Sequence, residues 1–273
     1  MNVQDFIHHY TPASEADAPT LLLLHGTGGN ENSMLALGSQ FAPGAGILSP
    51  RGKILEGTMP RFFRRKAEGV FDMEDLIFRT HELADWIERA IDAYNIAPES
   101  VIAVGYSNGA NIAASTLLLR PETLKHAILL RPMLPLRPEQ LPDLSGVNVL
   151  IETGLRDQMV PFSQAEVLAH LLNGCNAAVT FQKQPTGHGL TEADVLESRQ
   201  PLLRALHRIM HGVEGDKQKP GFPAMTFHKG HRLPRKRIRQ VLGLLYLLVS
   251  AQHRGIEIDA VPLKEAKELV EPA

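Results

Sequence analysis

Three side chains in this sequence have the types and the chain order that nucleophilic catalysis requires. Ser107 is the centre of a Gly-x-Ser-x-Gly pattern, Asp157 follows an apolar run and a glycine, and His188 stands between two glycines. A serine hydroxyl needs a base, a histidine can accept its proton and return it to a leaving group, and a carboxylate fixes the imidazole tautomer. Serine, aspartate, histidine is one of the orders in which such triads occur along a chain. We therefore predict that Ser107 is a nucleophile, His188 its base and Asp157 the partner of that base.

The segment around Ser107 predicts a buried strand that turns abruptly into a helix. The apolar run 101–104 precedes the pattern, and an alanine-rich run follows it to about residue 119. Gly105 and Gly109 leave no side chains where strand and helix would meet, and the serine hydroxyl is then held exposed. The helix also points its positive end at the same place. A chance match in a Gly/Ser turn is the alternative, and the flanking strand and helix argue against it.

The rest of the chain alternates between apolar runs that predict strands and longer stretches that predict helices. The strands are predicted at 20–24, 46–50, 125–130, 147–152 and 178–181. Four helices are predicted besides the one after Ser107: one that starts near residue 31, one over 75–95, one that ends near 172 and one over 191–211. This alternation predicts an α/β fold with a doubly wound, mostly parallel sheet. Ligand sites in such sheets lie at the carboxyl ends of the strands. Because all three residues and the loop 25–30 follow predicted strand ends, we expect them at one edge of the sheet.

The loop 25–30, with the sequence His-Gly-Thr-Gly-Gly-Asn, follows the first predicted strand. Glycines between a strand and a helix free backbone N–H groups to face a ligand. The loop lacks the lysine of a phosphate-binding loop, so an oxyanion-binding loop is the better interpretation. The backbone N–H groups of Thr27 and of Asn108, the residue after the serine, are the predicted oxyanion donors. An ordinary turn between strand and helix is the alternative.

Other histidines and aspartates compete for the roles of base and orienting acid. Asp143 and Asp194 compete with Asp157, for which a solvated loop position is the alternative interpretation. The competing histidines are His8, His9, His25, His81, His126, His170, His207 and His211. Most of them fall on predicted helices or before the sheet edge, where a structural role is favoured. His188 alone lies in a glycine-flanked loop after the last predicted strand, and it is therefore the predicted base.

Aromatic and methionine side chains near the same edge predict a substrate pocket. Phe62 and Phe63 stand among arginines in the irregular stretch 51–73, and Met133 follows the strand predicted at 125–130. Together with Met159 they form the predicted lining, and the arginines would supply a cation for an anionic group. For the phenylalanines the equal alternative is a solvated basic loop with two anchoring rings. For Met133 the alternative is ordinary packing.

Composition excludes several classes of protein. With 273 residues, 44% of them hydrophobic, and a net charge of −2, the chain can bury a sizeable core and has no general attraction to nucleic acid or anionic membranes. The N-terminus lacks the basic and apolar regions of a signal peptide, and no apolar run reaches the roughly 18 residues of a spanning helix. The single cysteine, Cys175, excludes an internal disulfide. We expect a cytoplasmic protein that acts on a small molecule, without nucleic acid and without integral membrane association.

Four motifs together resemble the phospholipase/carboxylesterase family of α/β-hydrolases, which includes the acyl-protein thioesterases and many small bacterial esterases. They are the segments 24–29, 105–109, 154–161 and 187–189, and the resemblance covers about residues 18–212. It implies an α/β-hydrolase fold with a fairly open site, and a serine hydrolase without metal or cofactor that cleaves carboxylic esters or thioesters. The stretch 61–72 resembles a bacterial branch of the family. Ala110 replaces a glycine common in thioesterase-like members, so a thioesterase substrate is not carried over.

Residues beyond the family pattern predict a separate C-terminal part. We expect a hydrolase domain over 1–212, a linker over 213–226 and a mainly helical extension over 227–273. Three interpretations of the extension stay open: docking on the hydrolase domain or on a partner subunit in a homodimer, a small independent module, or a basic helix for a membrane surface or nucleic acid. The alternative to an enzyme is a non-catalytic binding or regulatory protein on a hydrolase scaffold, with the extension as its interaction module.

Overall fold

The computed structural model describes residues 2–15 and 18–190. Its main strands and helices follow the alternation expected of an α/β fold. In chain order they are β1 (His8–Thr11), β2 (Thr20–Leu24), α1 (Leu35–Phe41), β3 (Gly46–Pro50), β4 (Ile54–Glu56), β5 (Met59–Arg61), β6 (Arg65–Ala67), β7 (Val70–Phe71), α2 (Met73–Ala93), β8 (Val101–Tyr106), α3 (Asn108–Leu119), β9 (His126–Leu130), β10 (Asn148–Gly154), α4 (Phe162–Gly174) and β11 (Ala178–Gln184). Single 3₁₀ turns at Val3–Asp5 and Pro98–Ser100 precede β1 and β8.

Seven of these strands form one sheet in the order β1-β3-β2-β8-β9-β10-β11. The edge strand β1 runs antiparallel to β3, and the other neighbouring pairs are parallel. The strand β2 is buried along its whole length, as its unbroken apolar sequence predicts for a strand covered on both faces. The doubly wound, mostly parallel sheet and the α/β-hydrolase fold predicted from the sequence are therefore confirmed.

The two faces of the sheet carry two separate apolar layers. Alternate residues of β2 divide between them: Leu22 and Leu24 pack with α2, α3 and α4, whereas Leu21 and Leu23 pack with α1. Trp86 of α2 is fully buried in the first layer and donates its indole N–H to the carbonyl of Val3, 2.8 Å away. Within the described residues, no helix is both long and apolar enough to cross a membrane.

Two segments differ from the sequence-based expectation. The helix α1 begins at Leu35 rather than near residue 31, because Asn30 accepts a hydrogen bond from the Asn32 N–H and holds the chain in a turn first. The stretch 51–73, predicted to be irregular, contains two short antiparallel hairpins, β4–β5 and β6–β7. Gly57 and Gly69 supply the positive φ at their turns, and strands of two or three residues are too short to show a periodicity.

The predicted helix at 191–211, the linker at 213–226 and the extension at 227–273 lie outside the described residues. The domain boundaries and the proposed role of the extension therefore stay predictions.

Candidate active site

Ser107 occupies a sharp turn between β8 and α3. Its backbone has φ 51° and ψ −110°, a conformation that side-chain-bearing residues rarely adopt. The turn is held on both sides: the Ser107 N–H donates to the carbonyl of Leu130 at the end of β9, and its carbonyl accepts from Asn111 in α3, both at 2.9 Å. The hydroxyl is thereby fixed at the carboxyl edge of the sheet, at the N-terminus of α3.

Gly105 and Gly109 are required by the close approach of α3 to the sheet. A Cβ at Gly105 would lie 2.5 Å from the carbonyl oxygen of Gly109. A Cβ at Gly109 would lie 1.9 Å from the carbonyl oxygen of Leu24 in β2. Both obstacles are backbone atoms, which cannot rotate away as a side chain can. The glycines of the Gly-x-Ser-x-Gly pattern therefore set how deeply the helix packs behind the serine.

The structure brings Ser107, Asp157 and His188 into a single hydrogen-bonded chain. His188 Nε2 lies 2.9 Å from Ser107 Oγ, and His188 Nδ1 lies 2.7 Å from Asp157 Oδ2. The Asp157 side chain is fully shielded from solvent, and its second oxygen accepts the backbone N–H groups of Met159 and Val160, each at 2.9 Å. Because the carboxylate is held by these amides, it can fix the Nδ1–H tautomer of the imidazole and leave Nε2 to accept a proton.

Several of the competing residues have other hydrogen-bond partners; these are His8, His9, His25, His126 and Asp143. His25 is 1% exposed, contacts the Gly26 carbonyl through Nδ1 at 2.7 Å and accepts the Gly52 N–H on Nε2 at 2.9 Å. Burial lowers the pKa of His25, which suits a neutral structural ring. Asp143 accepts hydrogen bonds from Ser145 in a local turn. Among the described residues, His188 is the histidine in hydrogen-bond contact with Ser107. Asp194, His207 and His211 lie outside the described residues.

The loop between β2 and α1 presents a backbone N–H beside the turn that carries Ser107. The amides of Gly28 and Gly29 are already used, donating to the carbonyls of Pro60 and Gly26 at 2.9 and 3.0 Å. In the described part of the chain, neither the Thr27 N–H nor the Asn108 N–H has an acceptor. These are the two donors predicted to bind an oxyanion, and both are available to a ligand atom.

Arg61 is one of the arginines that the sequence suggested as a cation for an anionic group, and the structure places it, buried, in support of this loop. Arg61, at the end of β5, is 3% exposed and donates from Nη1 to Thr27 Oγ1 at 2.6 Å and from Nε to the Phe63 carbonyl at 3.2 Å. Burial, and secondarily the nearby Arg65 charge, lower its pKa from the usual value, and Glu56, 3.5 Å away, opposes that effect. The hairpin β4–β5 thus fixes the side chain of a predicted oxyanion donor.

Phe62 and Phe63 do not line an open pocket in the described part of the chain. Both rings are almost completely buried in the core: Phe62 packs on His25 with ring centroids 4.7 Å apart, and Phe63 packs edge-on against Phe71 at 5.0 Å. The Phe62 N–H also donates to Asn108 Oδ1 at 2.8 Å. A side chain that lines a pocket needs an exposed face, and neither ring has one. Of the two interpretations offered above, the position of the rings therefore fits side chains that anchor this stretch to the core.

The predicted pocket residues Met133 and Met159 lie at the carboxyl edge of the sheet. Met159 is 52% exposed, two residues after Asp157. Met133 is half-buried, and its N–H donates to Asn111 Oδ1 at 2.9 Å, one turn of α3 from the serine. Met59 was not predicted and lies across the glycine-rich loop: a Cβ at Gly28 would be 3.6 Å from its side chain. A cavity of about 460 Å³ borders the same loop and is lined in part by Thr27, Met34, Leu37, Tyr106 and Leu190.

The loop that carries His188 contacts a second buried arginine. Arg131, directly after β9, and Glu152 in β10 form an ion pair of 2.8 Å, and Arg131 also donates to Thr186 and Gly187. The signal in the sequence was Glu152 itself, a carboxylate at the end of the predicted strand 147–152 that must find a partner if that strand is buried. It does not reveal which cation is the partner.

Comparison with known proteins agrees with this geometry. Residues 9–202 match the model of the phospholipase/carboxylesterase family. MhqD of Bacillus subtilis (strain 168) is 47% identical over 186 residues, which are 68% of this chain and 93% of that protein. The crystal structure of the Bacillus cereus carboxylesterase is 44% identical with a TM-score of 0.71, covering 73% of this chain and 94% of that one. A carboxylesterase from Mesorhizobium loti is 31% identical with a TM-score of 0.66, covering 70% and 90%.

The family match spans most of the chain, and these relatives are covered almost completely. Their likeness extends from sequence to fold, and it favours an enzyme over a non-catalytic protein on the same scaffold. The chain belongs to the phospholipase/carboxylesterase family of α/β-hydrolases and is a hydrolase.

Proposed function

We propose that this hydrolase cleaves carboxylic esters, or thioesters, of small to medium size through Ser107, Asp157 and His188. The observation that carries the proposal is the 2.9 Å contact between His188 Nε2 and Ser107 Oγ at the tip of a strained turn. A hydroxyl in hydrogen-bond reach of an oriented imidazole is the arrangement that activates serine as a nucleophile. The name carboxylesterase carried by two of the relatives supports the choice of bond.

Acylation begins when Ser107 Oγ attacks the carbonyl carbon of the ester and His188 Nε2 takes the hydroxyl proton. The carbonyl oxygen becomes an oxyanion, which accepts hydrogen bonds from the N–H groups of Thr27 and Asn108. Asp157 stabilises the imidazolium through Nδ1–H. When the tetrahedral intermediate collapses, its bond to the alcohol oxygen breaks and His188 donates the proton to that leaving group, which departs as the free alcohol.

Deacylation repeats these steps with water. His188 Nε2 removes a proton from a water molecule as its oxygen attacks the acyl carbon on Ser107. The second tetrahedral intermediate uses the same two N–H donors, and its collapse returns the proton to Ser107 Oγ and releases the carboxylic acid. Atoms and charge balance over the two halves without a metal or cofactor.

A cavity beside the glycine-rich loop, lined by Tyr106 but not by Ser107 itself, supports a substrate of small to medium size. This cavity of about 460 Å³ borders Thr27 and Tyr106, within the range of roughly 300–1,000 Å³ typical of small-molecule sites. Met59 and Met159 both have exposed side chains. Met59 lies in β5, whose Arg61 contacts Thr27, and Met159 lies two residues after Asp157. Flexible thioether side chains adapt to different apolar groups, which suits esters with short to medium apolar parts.

Ser107→Ala tests this proposal directly. We expect wild-type protein to hydrolyse a p-nitrophenyl ester of a short acid, and the variant to lose at least about 10³-fold in kcat, because nucleophile and base act as one unit. Ser145→Ala is the matched control, since Ser145 lies in an exposed turn with Asp143 and should keep wild-type activity. A fluorophosphonate probe should label the wild type and the control stoichiometrically and leave Ser107→Ala unlabelled. Unchanged hydrolysis by Ser107→Ala would refute the proposed nucleophile.

A further inference from the structure

Arg131 and Glu152 form an ion pair in the interior between β9 and β10. Both side chains are 0% exposed, Arg131 Nη1 lies 2.8 Å from Glu152 Oε1, and the Arg131 N–H donates to the Glu152 carbonyl at 2.8 Å. Removing two charges from water is unfavourable, and such a pair often adds little stability over apolar residues of similar size. Its presence therefore calls for a role beyond holding two strands together.

Two further donors of Arg131 contact the loop just before His188. Nε donates to the carbonyl of Gly187 at 3.0 Å, and Nη2 donates to Thr186 Oγ1 at 2.9 Å. The guanidinium is therefore held by Glu152 and in turn donates hydrogen bonds to Thr186 and Gly187, the two residues directly before His188. Arginine suits this because its planar group donates in several fixed directions.

The same loop lies close against the carboxyl end of β10. A Cβ at Gly154 would be 2.5 Å from the Gly187 carbonyl oxygen, so the glycine permits the approach. On the outer side, the Arg156 N–H donates to the Thr186 carbonyl at 3.0 Å, and its side chain donates to the carbonyl of Pro185. Arg131 provides the inner contacts, on the side that faces the interior, whereas Arg156 is exposed.

The backbone of Arg131 is itself strained. Its φ of 55° places a long side chain in the left-handed region, where residues other than glycine are uncommon. The preceding residue, Leu130, accepts the hydrogen bond from the Ser107 N–H at 2.9 Å. One short segment therefore contacts the turn of the serine through Leu130 and the loop of the histidine through Arg131. Strain maintained at such a junction is typical of a functional constraint.

We propose that Arg131, oriented by Glu152, is a positioning residue that sets the distance between the His188 ring and Ser107 Oγ. This inference rests on the proposed esterase function. It states that the buried pair acts on the rate of the chemical step and contributes little to substrate binding, because neither side chain reaches the solvent-accessible site. A misplacement of about 1 Å at a base can lower a rate by about 10²-fold.

Two variants test this role. Arg131→Lys keeps a cation opposite Glu152, but a single ammonium cannot reproduce the fork that holds both Thr186 and Gly187. The double variant Arg131→Met/Glu152→Leu removes both charges together, so that neither partner of this ion pair is left buried without the other. We expect kcat for a p-nitrophenyl ester to fall at least about 10-fold in both, with KM changed less than about threefold.

Arg120→Lys is the matched control. Arg120 also donates to three carboxylates, those of Asp85, Glu88 and Glu122, but it follows the C-terminus of α3, about 20 Å from Ser107 at 1.5 Å per residue. Its kcat should stay within twofold of the wild type. Proton NMR gives a second readout: the downfield signal of the His188 Nδ1–H, held by Asp157, should broaden or disappear in Arg131→Lys and persist in Arg120→Lys.

The outcomes separate this inference from the proposed function. Loss of activity in Ser107→Ala, together with a selective fall in kcat in Arg131→Lys, supports both. A folded Arg131→Lys variant with kcat within twofold of the wild type, or with a loss no greater than in Arg120→Lys, overturns the positioning role and leaves the esterase proposal intact. Full activity in Ser107→Ala overturns the esterase proposal, and the inference fails with it.

Discussion

The substitution Gly109→Ala adds one methyl group at the point where α3 lies closest to the sheet. The new Cβ would stand 1.9 Å from the Leu24 carbonyl oxygen, 2.4 Å from the Leu24 carbonyl carbon and 2.7 Å from the His25 carbonyl oxygen. Leu24 ends β2, whose neighbours β3 and β8 hold it on both sides. Since the strand cannot move, relief must come from the start of α3 moving away.

Two opposing effects decide the size of the change in stability. Replacing glycine by alanine inside a helix favours the folded state by up to about 1 kcal/mol. Overpacking costs about 1–3 kcal/mol, and the upper part of that range applies here because the clash is with backbone. We expect a net loss of about 1–2 kcal/mol in the free energy of unfolding. A shift of about 1 Å at the helix start also moves Ser107 and Asn108, so kcat/KM should fall about 10²-fold.

Gly174→Ala is the control with the opposite expected sign. Gly174 is the last residue of α4, and nothing lies within 4 Å of the position its Cβ would take. This variant should gain up to about 1 kcal/mol and keep wild-type activity. Urea denaturation and p-nitrophenyl ester hydrolysis measure both variants under the same conditions. If Gly109→Ala were as stable as the wild type and active within twofold, the close approach of α3 to β2 would not explain why this position is a glycine.

Two further predictions concern buried side chains that can carry a charge, Arg61 and His126. Arg61→Met removes the donor to Thr27 Oγ1, so the loop that carries an oxyanion donor should loosen; we expect kcat to fall about 10-fold to 10²-fold with little change in KM, and unchanged kinetics would contradict this. Burial, and secondarily the Lys125 charge, lower the pKa of His126 from 6.5 to about 4, so the folded protein keeps this ring neutral where the unfolded chain already binds a proton. Stability should therefore fall as the pH drops from about 6.5 towards 4, by about 3 kcal/mol at most from this residue. His126→Gln should flatten that part of the pH dependence in urea denaturation between pH 7 and 4.5, and an unchanged slope would show that other groups cause it.

The arrangement of the large elements could be predicted because each signal is local. The apolar runs that form β2, β8 and β9 are long enough to identify strands. A strand, a Gly-x-Ser-x-Gly pattern and a helix in succession predict the sharp turn at Ser107. A parallel sheet then brings residues at successive strand ends to one edge, which is why Asp157 and His188 were placed beside Ser107 from spacing alone. The structure indeed brings these three side chains into contact.

The stretch 51–73 could not be predicted because its order comes from tertiary contacts. Its hairpins have strands of two or three residues, below the length at which alternation is recognisable. Phe62 and Phe63 stand in an arginine-rich sequence, and pattern alone cannot tell a solvent-facing ring from one that turns inward to the core. The structure buries both rings in the same apolar layer, Phe62 against His25 and Phe63 against Phe71.

The two buried arginines explain how irregular loops at this edge can hold a geometry as strict as an activated serine requires. Loops lack the backbone pairing of strands, so their position must come from side chains. Arg61 supplies it to the loop of Thr27, and Arg131 supplies it to the loop of His188. Arg61 donates to Thr27 Oγ1, Arg131 donates to Thr186 Oγ1 and to the Gly187 carbonyl, and both side chains are almost fully buried. Stability and activity should therefore separate at both positions: apolar or lysine replacements that still fold should lose rate, because the loops they release carry the proposed base and a proposed oxyanion donor.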